Sequence, residues 1–167
     1  MIGLKIMTEL SDLYSQRIIE LAATIPPAGH LDAPDAAASA HSKLCGSTIA
    51  VELAMAGDRV KEYAQTVKAC LLGQASAAIM ARHVVGASEA ELREVAGEMR
   101  QMLKENGPPP GGRWAELAAL EPVREVKGRH ASTLLAFEAV VRALDQIAEK
   151  RREGGAVTAH EARRTGD

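Results

Sequence analysis

A change of sequence period in the first half of the chain constrains its fold most strongly. Residues 48–56 place an apolar side chain at every second position, as in a half-buried strand: Ile49, Val51, Leu53 and Met55. Residues 56–58 then favour a turn, and residues 59–68 are a second strand candidate with weaker alternation. In a regular strand, Val60 and Val67 would fall on opposite faces. The pattern therefore predicts a β-hairpin, after which the period becomes helical.

Helical spacing of apolar side chains accounts for most of the remaining chain. Helices are predicted over residues 8–23, 75–85, 88–105, 114–120 (only a turn or two) and 133–150. Thr8 is predicted to cap the first helix, and Ser88 and Glu91 form a capping box at the third. Residues 36–42 leave room for a further short strand, although no pattern marks one. This order predicts an α+β fold, with a small antiparallel sheet of about three strands covered by helices.

The length of 167 residues suits one domain, which we place over residues 1–150. Residues 151–167 mix charges with glycine and have no hydrophobic period, so a disordered C-terminal tail is predicted. The first ten residues lack the pattern of a secretory signal, and no apolar stretch is long enough to span a membrane. Two cysteines do not make a disulfide framework, so a reducing, cytoplasmic setting is expected.

Charge and composition exclude several classes of function. The chain has 20 basic and 22 acidic residues, which argues against a protein that binds nucleic acid by neutralising phosphates. Aromatic residues are only 2% of the chain, so a base-stacking surface is not expected. The sequence has no glycine-rich phosphate loop and no Gly-x-Ser-x-Gly elbow. We therefore predict neither a nucleic-acid partner nor a membrane partner, and find no recognisable catalytic motif.

Two cysteines flank the predicted hairpin. Cys45 lies just before the first strand and Cys70 lies at the end of the second. Because a hairpin returns its second strand beside its first, the thiols are expected to be close in space. Cys70 also enters a helix, whose backbone N–H groups and dipole favour a thiolate. The alternative is two unrelated buried cysteines. Nearby Lys43, Lys127 and Arg129 either hold a negatively charged thiolate or persulfide, or are plain solvated charges.

Several short motifs follow one another around these cysteines: Cys45-Gly46-Ser47, Gly57-Asp58, Cys70, and Ala75-Ser76-Ala77 with Met80. Residues 13–19 and 129–140 add a matching segment at either end. In this order and spacing they resemble the U-type iron–sulfur cluster scaffold family, which includes IscU, SufU and the N-terminal domain of NifU. The resemblance covers about residues 10–148. The long stretch between Cys70 and residue 129 looks more like the SufU branch.

The resemblance implies an α+β fold with three cysteines and one aspartate gathered at one end. In IscU-like members this group holds a transient iron–sulfur cluster, and in SufU-like members it holds zinc and receives sulfur from a cysteine desulfurase. Cys45 and Cys70 match the first two cysteines of the family. Ser47 stands where the family has aspartate, and Ser132 stands where it has its third cysteine. Because a serine hydroxyl does not ionise near neutral pH, both serines would be poor ligands.

His130 is a second candidate for the third ligand position. It lies two residues before Ser132, so both side chains point to one side if the chain enters the last helix extended. Cys45, Cys70 and His130 would then leave one open position, as in a reactive zinc site. A shifted alignment would place His130 itself, or Ala131, opposite the family cysteine.

The resemblance implies an iron–sulfur cluster assembly scaffold or sulfur acceptor with a degenerate site, and a carrier rather than an enzyme. Its cofactor would be zinc, iron or a transient [2Fe–2S] cluster, and its partners a cysteine desulfurase and apo iron–sulfur proteins. Four Cys or His ligands ordinarily hold such a cluster, so two thiols favour a labile cluster, a shared cluster or a single metal ion. One alternative is a metal-free interaction or regulatory protein on the same fold. A weaker alternative is a redox module with a reversible disulfide. The oligomeric state is left open.

Overall fold

A computed structural model describes residues 15–164, with side-chain surroundings through residue 154. Helices α1 to α4 span Gln16–Ala23, Leu71–His83, Glu89–Lys104 and His130–Arg164. Strands β1 to β3 span Ala36–His41, Thr48–Ala56 and Arg59–Lys68. Two 3₁₀ segments, Gly112–Glu125 and Lys127–Arg129, connect α3 to α4. The three strands form one antiparallel sheet in the order β1-β2-β3, which confirms the predicted α+β fold.

Strand β1 is the one that no sequence pattern marked. Four of its six residues are alanine, which has little preference for strands, so tertiary pairing with β2 places it. Its outer edge is partly covered by basic side chains of α4. Arg142 donates to the Ser39 carbonyl at 2.7 Å, and Lys150 donates to the Asp35 carbonyl at 2.7 Å. These contacts occupy backbone acceptors that an edge strand otherwise leaves free.

A register shift in the hairpin explains the weak alternation of β3. Between Ala54 and Met55 the pairing moves by one residue, which leaves Lys61 of β3 without a partner. Such a bulge reverses the face on which the following side chains lie. Val60 is buried before the bulge, and Val67 packs against the same core after it. The two valines therefore share a face, in contrast to the opposite faces expected of a regular strand.

Four of the predicted helices are present as α-helices, with differences at their ends. The short helix predicted over residues 114–120 is instead part of the 3₁₀ segment Gly112–Glu125. Helix α3 begins as predicted, since Ser88 Oγ accepts from the Glu91 N–H at 3.1 Å. Helix α2 begins at Leu71, earlier than the predicted start at residue 75. Its first turn contains Gly73, whose low helix propensity hides the start from a sequence pattern.

The two terminal helices differ more. Helix α1 is capped by Ser15, whose side chain accepts from the Ile18 N–H, and the predicted cap at Thr8 lies outside the described residues. Helix α4 begins at His130 and continues to Arg164, through the predicted boundary at residue 150. The division into a domain and a disordered tail stays a prediction.

An aliphatic core lies between the sheet and the helices. Helix α4 is central to it, because it packs on β1 and β2 as well as on α2 and α3. Two of the few aromatic rings, Trp114 and Phe137, meet edge to face with their centroids 6.4 Å apart. No helix within residues 15–164 combines the length and the apolar character needed to cross a membrane.

Candidate functional site

Three chain segments meet at one end of the sheet: the β1–β2 loop, the junction of β3 with α2, and the start of α4. Strand pairing places Thr48 opposite Lys68. Cys45 and Cys70 lie just outside that pair, so the hairpin brings both cysteines to the same end. Ser132, in the first turn of α4, contacts Cys70 there.

The loop that carries Cys45 is a closed turn. The Gly46 N–H donates to the Ser42 carbonyl at 2.9 Å, and the Ser42 N–H donates to the Ser47 carbonyl at 2.9 Å. Gly46 has a φ of 70°, which residues with a side chain rarely adopt. The turn leaves Cys45 exposed to solvent.

Two buried serines contact the Cys45 thiol. Cys45 Sγ lies 3.0 Å from Ser47 Oγ and donates to Ser42 Oγ at 3.4 Å. When the thiol ionises, hydroxyl donors stabilise the sulfur anion. Hydrogen bonds with the Ser42 side chain, and then with Ser47, lower the pKa of Cys45 to about 7, with a smaller contribution from the positive charge of Arg129. Ser47 therefore acts on the thiol, although it is a poor ligand.

Cys70 has different surroundings. It is half-buried and occupies the N-cap position of α2, where its side chain makes no capping hydrogen bond. Its thiol donates to Ser132 Oγ at 3.4 Å, and that hydroxyl donates in turn to the Arg129 carbonyl at 3.1 Å. Ser132 is fully buried. A metal bound at Cys70 would have to displace the S–H proton and with it this hydrogen bond.

Helix α2 approaches the start of α4 closely at the level of Cys70. A Cβ on Gly73 would lie 2.8 Å from the Cβ of Ala69 and 3.1 Å from the carbonyl oxygen of Ser132. One turn further on, the buried Ser76 hydroxyl donates to the Thr133 carbonyl at 2.7 Å. The glycine permits the close approach, and the hydroxyl bond holds the two helices together.

Solved structures resemble this chain over most of its length. A nitrogen-fixing NifU-like protein (N-terminal) from Brucella abortus is 52% identical, with a TM-score of 0.83; the match covers 85% of this chain and 99% of that one. The chain belongs to the U-type iron–sulfur cluster scaffold family.

Two more distant structures share the U-type fold. One, from Fervidobacterium islandicum AW-1, is given as a candidate iron–sulfur cluster assembly scaffold for the SUF system. It is 17% identical, with a TM-score of 0.73 and coverage of 80% of this chain and 98% of that one. The other is a hypothetical protein, 22% identical, with a TM-score of 0.71 and coverage of 81% and 98%. No protein-family model matches the sequence. A search of curated proteins finds no match either.

The His130 ring contacts backbone carbonyls of the preceding segment, and the ligand role predicted for it stays a prediction. Its Nε2 lies 3.0 Å from the Val123 carbonyl and 3.1 Å from the Arg124 carbonyl, and the residue is buried. Nε2 must carry a proton to donate to these oxygens, so it ties α4 to the preceding 3₁₀ segment. Among residues 15–154, no three His, Cys, Asp or Glu side chains form a group that could hold a metal ion. The structure thus favours Ser132 over His130 beside Cys70.

Ser42 is a site residue that the sequence motifs missed. Its only signal is its place three residues before Cys45 in a predicted loop, where serine side chains commonly form local hydrogen bonds. His41 directly precedes Ser42, and its Nδ1 lies 3.2 Å from Thr48 Oγ1. The candidate site of this chain therefore contains two thiols, with two serine partners at Cys45 and one at Cys70.

Proposed function

We propose that this U-type protein accepts sulfur at Cys45 during iron–sulfur cluster assembly, and holds iron or a [2Fe–2S] cluster only transiently. The family supports a role in cluster assembly, and one observation supports the choice of Cys45. It is an exposed thiol with two serine hydroxyls within hydrogen-bonding distance. With a pKa of about 7, it has a substantial thiolate fraction at neutral pH, and the thiolate is the nucleophile.

The reaction is a transfer of neutral sulfur between thiols. The Cys45 thiolate attacks the terminal sulfur of a persulfide on the donor protein. The new bond joins Cys45 Sγ to that sulfur, the donor's S–S bond breaks, and the donor leaves as a thiolate. The hydrogen of the terminal sulfur travels with it, so no oxidant is required. Arg129 lies close enough to favour the negative charge at this position.

The residues at the site fit a transient metal cargo better than a permanent one. A [2Fe–2S] cluster and a structural zinc ion both take four protein ligands, usually Cys or His. This site offers the thiols of Cys45 and Cys70 together with the hydroxyls of Ser47 and Ser132. Hydroxyls that stay protonated at neutral pH are weak ligands for iron or zinc. We therefore infer a labile cluster, a single loosely held ion, or a cluster shared by two copies.

The partners and the location of the protein follow from the same proposed role. The protein is a carrier without turnover of its own, and it works with a cysteine desulfurase and with apo iron–sulfur proteins. Cys45 and Cys70 are both free thiols, which suits a reducing, cytoplasmic location.

Sulfur transfer from a cysteine desulfurase supplied with radiolabelled cysteine tests the assignment of the acceptor. We expect label on the wild-type chain that is released by a thiol reductant and is lost in Cys45→Ser. Cys70→Ser is the matched control and should retain most of the label. Equal labelling of Cys45→Ser and wild type would contradict the proposal, as would label that depends on Cys70 alone.

A second candidate is a metal-free interaction or regulatory protein of the assembly machinery. The observation that favours it is serine at two of the four ligand positions, Ser47 and Ser132. It predicts that a variant without Cys45 and Cys70 binds a cysteine desulfurase as tightly as wild type while accepting no sulfur. Loss of that binding in the double variant would count against it.

A further inference from the structure

The most exposed of the large apolar side chains described lies next to the candidate sulfur acceptor. Leu44 is 78% exposed, compared with 54% for Val85 and 42% for Ile19. A single exposed leucine is common on protein surfaces and needs no explanation by itself. Leu44, however, directly precedes Cys45 in a turn closed by two backbone hydrogen bonds. Its position relative to the thiol is therefore set by the backbone.

The same end of the protein is locally basic. The three segments that meet there, residues 41–48, 66–74 and 127–133, contain no acidic residue and four basic ones: Lys43, Lys68, Lys127 and Arg129. The three lysines are exposed. Arg129 is near enough to Cys45 to act on its charge. Because the whole chain has a net charge of -2, this positive charge is a feature of the site and not of the protein.

We propose that Leu44 and this basic rim form the docking surface for the protein that donates sulfur to Cys45. The donor surface that fits it has an apolar pocket for one leucine side chain, bordered by carboxylates. This inference rests on the sulfur-acceptor function proposed above, and adds the contact by which the donor is recognised.

Physical chemistry assigns the two parts of the surface different roles. A large apolar side chain that enters a pocket at the centre of an interface contributes much of the binding energy and excludes water from its neighbours. Here its neighbour is the thiol that must meet the donor's persulfide. Charges at the rim act at longer range: they raise the rate of encounter and orient the partners, and their effect decreases with salt. Leu44 should therefore set the affinity, and the lysines should set the salt dependence.

Leu44→Ala tests the apolar contact. The readout is radiolabel transferred from a purified cysteine desulfurase, measured against donor concentration. We expect the half-saturating donor concentration to rise about 10-fold, because alanine removes most of the apolar side-chain surface that leucine would bury. The rate at which iodoacetamide alkylates the thiol should stay as in wild type, because that reagent needs no docking. Val85→Ala removes an exposed apolar side chain near the other end of β3 and should change neither measurement.

Charge variants test the basic rim. Lys43→Gln combined with Lys127→Gln should lower transfer at low donor concentration and flatten its dependence on salt between about 0.05 and about 0.3 M. Lys61→Gln is the matched control. It removes an exposed lysine on the same strand as Lys68 but seven residues away, roughly 23 Å along β3, well beyond the screening length.

The outcomes separate this inference from the function on which it rests. If the wild-type chain accepts no sulfur, the proposed function fails. If the wild type accepts sulfur but Leu44→Ala saturates at the same donor concentration, the docking surface is wrong while the acceptor stands. A parallel loss of sulfur transfer and of alkylation in Leu44→Ala would also overturn the inference, because the leucine would then act on the thiol and not on the donor.

Discussion

The two thiols lie at the same end of the sheet but are held in place in opposite ways. Cys45 is positioned by contacts within one short turn, with partners two and three residues away at Ser47 and Ser42. Cys70 is positioned by tertiary packing, with a partner 62 residues away at Ser132. The first thiol is exposed and the second is half-buried. Local structure can therefore tune the reactivity of Cys45, whereas the surroundings of Cys70 depend on the whole fold.

This contrast has a chemical counterpart. The hydroxyls beside Cys45 lower its pKa to about 7, which suits a nucleophile. The Ser132 hydroxyl beside Cys70 accepts a hydrogen bond from the thiol, because its own hydrogen is donated to the Arg129 carbonyl. In a site with four metal ligands, the sulfurs of Cys45 and Cys70 would both serve as ligands. Here a serine hydroxyl lies beside each thiol, and the surroundings of the two thiols differ.

The largest change should follow from placing at positions 47 and 132 the ligands that the family resemblance implies, which would give both thiols similar neighbours. Ser47→Asp combined with Ser132→Cys places a carboxylate beside Cys45 and a thiol beside Cys70. After anaerobic reconstitution we expect metal content to rise from well below one to about one zinc per chain, or a coloured [2Fe–2S] cluster. Elemental analysis and the visible spectrum measure it, with Ser132→Ala as the control. A folded double variant that stays colourless and metal-free would refute the assignment of these positions.

Gly73→Ala should disturb the packing of α2 against α4 beside Cys70, and should leave the Cys45 turn unchanged. The new Cβ would lie 2.8 Å from the Cβ of Ala69, where the chain enters α2, and 3.1 Å from the Ser132 carbonyl oxygen in α4. Relieving the second contact requires α2 to move away from α4. We expect a loss of about 2 kcal/mol in the free energy of unfolding, measured by urea denaturation. Gly97→Ala is the matched control in α3, where nothing lies within 4 Å of the new Cβ, and it should be neutral or slightly stabilising. If Gly73→Ala and Gly97→Ala lost equal free energy of unfolding, α2 and α4 would not be tightly packed at Gly73.

The pKa of Cys45 should respond chiefly to its two serines, because Arg129 makes a smaller contribution. In a Cys70→Ser background, alkylation by iodoacetamide should increase with pH and level off above a midpoint of about 7. The lowered pKa means that the reactive thiolate persists down to this pH and is lost below it. Ser42→Ala or Ser47→Ala should move the midpoint upward, and a shift of one pH unit slows the reaction at neutral pH about five-fold. Ser132→Ala should leave the midpoint of Cys45 alkylation unchanged. A shifted midpoint in this variant would show that the surroundings of Cys45 and Cys70 are not independent.

The smallest effect is expected at the turn itself. Gly46→Ala meets no neighbouring atom but must adopt a positive φ, which costs about 1 kcal/mol for a residue with a Cβ. Gly111→Ala, at a φ of -108° and also without close contacts, is the control and should cost little. Urea denaturation measures both. A loss at Gly46 comparable to that at Gly73 would contradict the view that the Cys45 turn is only locally coupled to the fold.

Much of this arrangement could be predicted from the sequence where short-range patterns decide it. The alternation of β2 and the Ser88 cap are local features, and the convergence of both thiols at one end of the sheet follows from the hairpin. The alignment that places Ser132 at the third cysteine position fits its contact with Cys70, although its role as a ligand stays a prediction.

Other features depend on contacts that no local pattern carries. Strand β1 is mostly alanine and is defined by its pairing with β2. The carbonyls that receive His130 belong to the 3₁₀ segment, whose path is set by packing, so its ring orientation could not be anticipated. No sequence motif marks Ser42, because its contact with Cys45 arises from the closure of the turn.

Because of the bulge at Lys61, the hairpin is sensitive to any change in its length. The count of residues from Thr48 through the turn to Lys68 decides which residue of β3 lies at the mouth of the Cys45 loop. Deleting one residue after the bulge would draw Cys70 back by about 3.3 Å and turn its side chain to the other face of the sheet. The number of residues between the bulge and Cys70 therefore fixes both the position and the direction of the Cys70 side chain.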